Sequence, residues 1–286
     1  MNRDIWVVAE HFQGRLTDIT FELLGKGREL ARAMEYKLAV ALIGHDVARL
    51  TGELGAADGV YVIDRPELRE FTADAYGALL EAGLKDAQPR MVLMGSTSIG
   101  LDLLSFVSAC GNVPCIDNCT RLEWKDGTLM ATSQIYGGKI FAEVALPSAT
   151  TLVAVVPGSF PTEAGKVIGS PVVISPPLAP EHPKARTAFR KWIEPPAGDV
   201  DITKVPILVS VGRGIQNAEN VAQAQELADL LAGAVSGSRP VIDQGWLPKT
   251  RQVGKSGMNV KSKLYLALGI SGAPEHVEGM KGAELI

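Results

Sequence analysis

Ile207-Leu-Val-Ser-Val211-Gly-Arg-Gly-Ile215 decides how this chain is read: an apolar run of strand length ends abruptly in a glycine-flanked arginine. Two further glycine- or serine-marked stretches follow it, Ser238-Arg-Pro-Val-Ile-Asp243 and Gln252-Val-Gly-Lys-Ser-Gly257. A last one, Gly269-Ile-Ser-Gly-Ala-Pro-Glu-His276, comes directly after the apolar run Leu264-Tyr-Leu-Ala-Leu268. Loops at the ends of apolar strands are where open α/β sheets bind ligands. Their spacing predicts one extended ligand wrapped by several loops.

The rest of the chain supports an α/β reading. Ile5–Ala9, Lys37–Ile43, Gly59–Ile63 and Met91–Met94 read as buried strands. Asp18–Met34, Thr72–Lys85 and Leu101–Cys110 lie between or after them with helical character; Tyr76, Leu79, Leu80 and Leu84 share one helix face. This alternation predicts a mostly parallel, doubly wound sheet with helices on both faces. Beyond Cys119 the pattern changes to three short β-like runs near Arg121–Trp124, Thr128–Gln134 and Ile140–Val144, with Lys125-Asp-Gly127 as a turn. They predict an antiparallel extension, followed by a further apolar strand at Thr150–Val156.

Prolines then concentrate between Pro157 and Pro206 and break long regular elements, with a single short strand near Val172-Val-Ile174. Two domains are expected: 1–190, ending in a proline-rich linker of about 157–205, and 206–286. The chain's 286 residues suit that count. On a helix over about Asn217–Ala232, Val221, Ala224, Ala228 and Leu231 form an inward stripe.

Composition narrows the function. A formal net charge of −4 gives no basic footprint for nucleic acid. No apolar stretch nears the roughly 20 residues that span a bilayer, so no membrane insertion is expected. The N-terminus lacks a signal-peptide pattern, and a cytoplasmic location is expected. Cys110, Cys115 and Cys119 do not have zinc spacing and read as small core residues; no metal site is expected. The glycine pattern at Gly212, Gly214 and Asn217 fails as a dinucleotide fingerprint, and Lys249 stands where a P-loop needs its first glycine.

Taken in order, the VGRG, SRPVID, QVGKSG and LGISGAPEH stretches resemble the FAD domain of the electron transfer flavoprotein α subunit. Trp6-Val-Val-Ala-Glu10, Gln134-Ile-Tyr-Gly-Gly-Lys139 and Val155-Val-Pro-Gly-Ser-Phe160 resemble its first domain, so the likeness covers nearly the whole chain. The resemblance implies two α/β domains, the first forming a heterodimer interface with a β subunit and the second holding FAD. It implies an electron carrier between partner dehydrogenases, such as acyl-CoA dehydrogenases of fatty acid β-oxidation, and a downstream acceptor; a bifurcating complex is an open alternative. No catalytic residue of the chain's own is expected.

Residue by residue, the resemblance implies cofactor contacts at Arg213, Ser238, Arg239, Gln252, Val253, Gly254, Ser256, Gly257, Gly269, Ser271, Gly272, Ala273 and His276. Arg239 would stabilise negative charge on the reduced ring, Ser256 would bond its N5, and His276 would lie near its O2. Ser271 and its neighbouring amides would meet phosphate. Ser256 and Lys255 stand where the family usually has threonine and glutamine. The family also runs on past Ile286 through one more β–α stretch, so the sequence reads as C-terminally truncated relative to it. The alternative is a non-redox scaffold subunit of the same fold that holds FAD weakly or not at all. For Arg213 and Arg239 the bland alternative is an arginine in an ordinary turn, and for His276 a histidine on a helix surface.

Overall fold

The computed structural model describes residues 4–174, 186–192, 200–254 and 257–286. The chain divides into two compact units, one of Met1–Ile135 with Ile140–Arg190 and one of Tyr136–Lys139 with Lys191–Ile286.

The first unit opens with β1 (Asp4–Val8) and a small hairpin of β2 (His11–Phe12) and β3 (Arg15–Leu16), then α1 (Asp18–Met34). β4 (Lys37–Gly44), β5 (Gly59–Asp64), α2 (Ala73–Ala87), β6 (Met91–Gly95) and α3 (Ser98–Gly111) continue the alternation. β7 (Cys115–Lys125), β8 (Thr128–Ile135), β9 (Ile140–Ala145), β10 (Thr151–Val155) and β11 (Val172–Ile174) complete the unit. All but β2 and β3 form one nine-stranded sheet, ordered β11-β5-β4-β1-β6-β10-β7-β8-β9. From β11 to β7 every pairing is parallel. β7–β8 and β8–β9 are antiparallel, which is the expected extension.

Successive residues of a strand face opposite sides, and here both sides are covered. Ile5, Val7, Leu38, Val40, Met91 and Leu93 pack with α1 residues such as Leu23 and Leu30. Trp6, Val8, Ala39, Val92 and Met94 pack on the other face with Leu79 and Leu80 of α2 and Leu103 of α3. Two-sided burial explains why these strands read as continuous apolar runs.

Three local expectations are refined. β7 is longer than its sequence signal, because its first half pairs with β10 in parallel and its second half with β8 in antiparallel; the register shifts on both sides near Cys119, and Asn118 has a positive φ of 50°. α3 starts earlier than expected, at Ser98, because the Thr97 side chain accepts a hydrogen bond from the Gly100 amide at 3.0 Å and caps the first turn. Of the cysteines only Cys119 is buried; Cys110, near the end of α3, and Cys115, at the start of β7, are exposed.

Asp58 ties α1 to the sheet. Its carboxylate accepts from the Leu38 amide at 2.8 Å and from Arg28 Nη1 at 3.1 Å. Partial burial acts to raise its pKa, but the Arg28 and Leu38 hydrogen bonds outweigh it and hold the carboxyl below its ordinary value. A depressed carboxylate pKa contributes stability that is present above the unfolded value and is lost as pH falls through the folded one. The stability of Asp58→Asn measured by urea unfolding is therefore expected to depend less steeply on pH than wild type on the acid side of pH 4; identical slopes would show that the pair contributes nothing.

The second unit is smaller. β12 (Ile207–Val211), α4 (Asn220–Leu230), β13 (Ala234–Gly237), α5 (Arg239–Asp243), β14 (Leu264–Leu268) and α6 (Pro274–Met280) build it. Its three strands are parallel in the order β13-β12-β14. Leu208, Ala234, Tyr265 and Met280 form the core on one face. Val209, Val211, Val235, Ala224 and Ala228 form it on the other, with Val221 and Leu231 packed alongside. Leu285 makes an isolated parallel bridge with Leu264. Among the described residues no helix is long and apolar enough to cross a membrane.

Candidate functional site

The strand order places β12 between β13 and β14, so the chain runs to one side of β12 and then crosses to the other. A crevice at such a reversal, outside the carboxyl ends of the strands, is the usual ligand position in open α/β sheets. The loops leaving β12, β13 and β14 are the ones singled out in the sequence. They line one cavity of about 660 Å³, within the range of roughly 300–1,000 Å³ usual for small-molecule sites.

Backbone packing makes that crevice. The Gly212 amide donates to Leu268 O at 2.8 Å and the Gly214 amide to Gly269 O at 3.0 Å. A Cβ on Gly212 would lie 2.3 Å from Gly269 O, so the two loops approach as only glycine allows. Arg213, between those glycines, starts a short 3-10 turn and is exposed.

After β13, Ser238 is the N-cap of α5, with its amide bonded to Val211 O at 3.0 Å. Its side chain makes no capping bond, although the residue is nearly buried. The stretch Arg239–Asp243, read as a loop, is a short helix with Pro240 in its first turn, a position where the missing N–H costs nothing. Arg239 is largely exposed, with Nε 3.5 Å from Asp243 Oδ2.

Arg213, Ser238, Arg239 and Val253 thus share the cavity with Gly269, Ser271, Ala273 and His276. Gln252, Gly254, Gly257 and Gly272 do not line it. Gln252 is buried, and the Gly257 amide closes a tight turn onto Gly254 O at 2.7 Å. Gly254, at φ 100°, backs directly onto Glu275 and His276. Gly272 has a φ of 75° with nothing near its Cβ position. Ser256 and Lys255 lie outside the described residues. Glu275 and Ile270 also line the cavity; both lie in the Gly269–His276 stretch, but neither was singled out there as a contact.

His276 is not on a helix surface. It is only 6% exposed, and its Nε2 lies 2.8 Å from the hydroxyl of Tyr265, which donates to Ser210 Oγ at 2.7 Å. Burial pushes the imidazole pKa below its ordinary value, against a smaller opposing pull from the Val253 backbone. The Tyr265 hydroxyl is pushed up to about 12, chiefly by burial. A polar tyrosine within Leu264-Tyr-Leu-Ala-Leu268 and a serine within Ile207-Leu-Val-Ser-Val211 were the available signals, since each interrupts an aliphatic strand.

The arrangement fits a large anionic aromatic cofactor. Two arginines flank the cavity, the Ser238 side chain lines it without capping α5, a buried polar ring forms part of the wall, and close-packed glycines bring backbone close to it. Among the described residues no cluster of side chains suits a metal ion.

Comparison with known proteins identifies the family. Residues 5–187 match the electron transfer flavoprotein domain, and residues 201–281 match the electron transfer flavoprotein FAD-binding domain. The chain is 33% identical to the electron transfer flavoprotein subunit alpha of Thermoanaerobacterium thermosaccharolyticum, covering 99% of this chain and 87% of that one. It is 34% identical to the acryloyl-CoA reductase electron transfer subunit beta of Anaerotignum propionicum, with 99% and 86% covered. With subunit LctC of the NAD(+),ferredoxin lactate dehydrogenase of Acetobacterium woodii it shares 32% identity over 99% of this chain and 69% of that one.

Proposed function

The chain belongs to the electron transfer flavoprotein family as an α subunit, with FAD as its cofactor, and from that premise we propose that the cavity at the β12–β14 crevice is where it holds FAD. Supporting this reading is the one cavity shared by Arg213, Ser238, Arg239, Ser271 and His276, five residues drawn from the stretches that follow β12, β13 and β14, α5 and α6 among them. Bound FAD supplies the redox step, accepting electrons from a partner dehydrogenase and releasing them to an acceptor.

The chain's own residues bind and tune. Arg213 and Arg239 bring positive charge to the cavity rim, which favours a ligand carrying phosphates and a ring that becomes more negative on reduction. Ser238 and Ser271 offer hydroxyls, while Val253, Gly269 and Ala273 set the backbone path along the ligand and Gly254, Gly257 and Gly272 shape the turns that carry it. Gln252, buried beside Val253, supports that path, and Ser256, outside the described residues, is kept as a cofactor contact on the resemblance alone. His276 contributes a neutral imidazole to the wall rather than a cation.

The chain acts within a heterodimer with a β subunit, the first α/β unit supplying the interface and the proline-rich stretch joining it to the FAD-binding half, in the cytoplasm. The relatives named as the electron transfer subunit beta of an acryloyl-CoA reductase and as subunit LctC of a NAD(+),ferredoxin lactate dehydrogenase support a dehydrogenase or reductase as the partner. They favour a bifurcating complex and donors other than those of fatty acid β-oxidation.

The test is flavin absorbance of the full chain purified with its β subunit. The complex is expected to be yellow, with Arg213→Ala and Arg239→Ala each weakening FAD binding by roughly tenfold through loss of a charged contact. A colourless complex that takes up no added FAD overturns this reading and leaves a non-redox subunit of the same fold.

A further inference from the structure

The lining of the cofactor cavity carries two arginines, Arg213 and Arg239, and one acid, Glu275. Cations suit a ligand with a pyrophosphate and a ring that gains negative charge on reduction. A carboxylate in the same wall opposes both, because like charges brought together repel. Glu275 is not neutralised locally: among the described residues it forms no ion pair, whereas Arg239 lies 3.5 Å from Asp243.

The fold fixes where this acid stands. Glu275 is the second residue of α6, directly after Pro274, and its side chain reaches solvent. Its carbonyl oxygen lies 2.5 Å from where a Cβ on Gly254 would be, so the two backbones meet as only a glycine permits. An acid in the first turn of a helix also suits the helix dipole. That benefit is the same whatever the oxidation state of a ligand, and it leaves the carboxylate in the wall without a redox role. An electron carrier, however, must release what it accepts, and a wall with cations alone would hold the reduced, more negative ligand at the expense of the oxidised one. We propose that Glu275 is the counter-charge of the cofactor cavity: its carboxylate opposes Arg213 and Arg239 and keeps reduced FAD from being held too tightly to pass its electrons on. The inference rests on the reading of this cavity as the FAD site. Nothing held in a cavity of about 660 Å³ is far from its wall, so the carboxylate acts within the ~10 Å over which charges are felt at 0.1 M salt.

The experiment uses the full chain purified with its β subunit, titrated without oxygen with FAD in its oxidised form and after reduction by dithionite. Glu275→Gln keeps the shape of the side chain and removes its charge. It is expected to tighten the binding of reduced FAD about threefold more than that of oxidised FAD, the scale of one solvent-screened unit charge. That difference should shrink as salt rises from about 0.05 to 0.5 M. Glu275→Asp retains the charge and should keep the wild-type ratio of the two affinities. A Glu275→Gln variant whose two affinities change alike, or not at all, overturns the proposal and leaves Glu275 only its place at the start of α6. So does a difference that salt does not alter. A wild-type complex that takes up neither form of FAD overturns the reading of the cavity itself, and the counter-charge with it.

Discussion

Gly212→Val is expected to abolish FAD retention and to destabilise the second unit by about 1–3 kcal/mol, the usual cost of forcing extra atoms into a packed site. Conformation is not the obstacle, because Gly212 has φ −110° and ψ 175°, ordinary extended backbone. Space is. Its added Cβ would stand 2.3 Å from Gly269 O and 2.7 Å from both Gly269 C and Ile270 Cα. These are backbone atoms, which cannot rotate away as a side chain can. Relief requires the loops after β12 and β14 to part, lengthening the bonds from the Gly212 and Gly214 amides to Leu268 O and Gly269 O. The same parting would displace Arg213, Ser271 and Ala273 from the wall of the cavity. Urea unfolding and FAD titration of the variant check the two effects separately. Wild-type affinity in a variant of unchanged stability would show that the close approach at Gly212 is dispensable.

The second large effect is expected in the first unit. Glu22, in the middle of α1, is only 4% exposed, an unusual place for a carboxylate. Its oxygens accept from the Gly158 amide at 2.8 Å and from the Phe160 amide at 3.2 Å, anchoring the turn that follows β10. Glu22→Ala removes both charge-assisted bonds and leaves amides on the helix side of the turn without their acceptor. A loss of about 2 kcal/mol is expected, measured as a shift of the urea midpoint with unchanged slope. Glu22→Gln retains one acceptor oxygen and should recover part of the loss. If alanine and glutamine variants both unfold like wild type, the Glu22 contacts contribute nothing net.

Neither effect can be read from one segment alone. Glu22 and Gly158 are 136 residues apart, and in the sequence Glu22 is simply an acidic residue within an amphipathic helix. Gly212 announces itself as a loop glycine, but its collision partner at Gly269 is set by the pairing of β12 with β14. The same limit governed His276. Its position beside LGISGAP marked it for the site, while its burial and its bond to Tyr265 depend on how α6 settles over the sheet.

The apolar runs and helical periodicities of the sequence by themselves determined most of the order of strands and helices, β13 and α5 excepted, the parallel sheet with its antiparallel extension, and the four stretches from which a cofactor site could be drawn. They could do so because alternation and amphipathicity are local, repeating every two or 3.6 residues along the chain. Only the tertiary structure decided that β7 serves two partners, that Gln252, Gly254, Gly257 and Gly272 are not part of the cavity wall, and that Ser210 and Tyr265, 55 residues apart, meet beside His276. Those outcomes follow from strand register and from the exclusion of water, which no neighbouring residue in the sequence records.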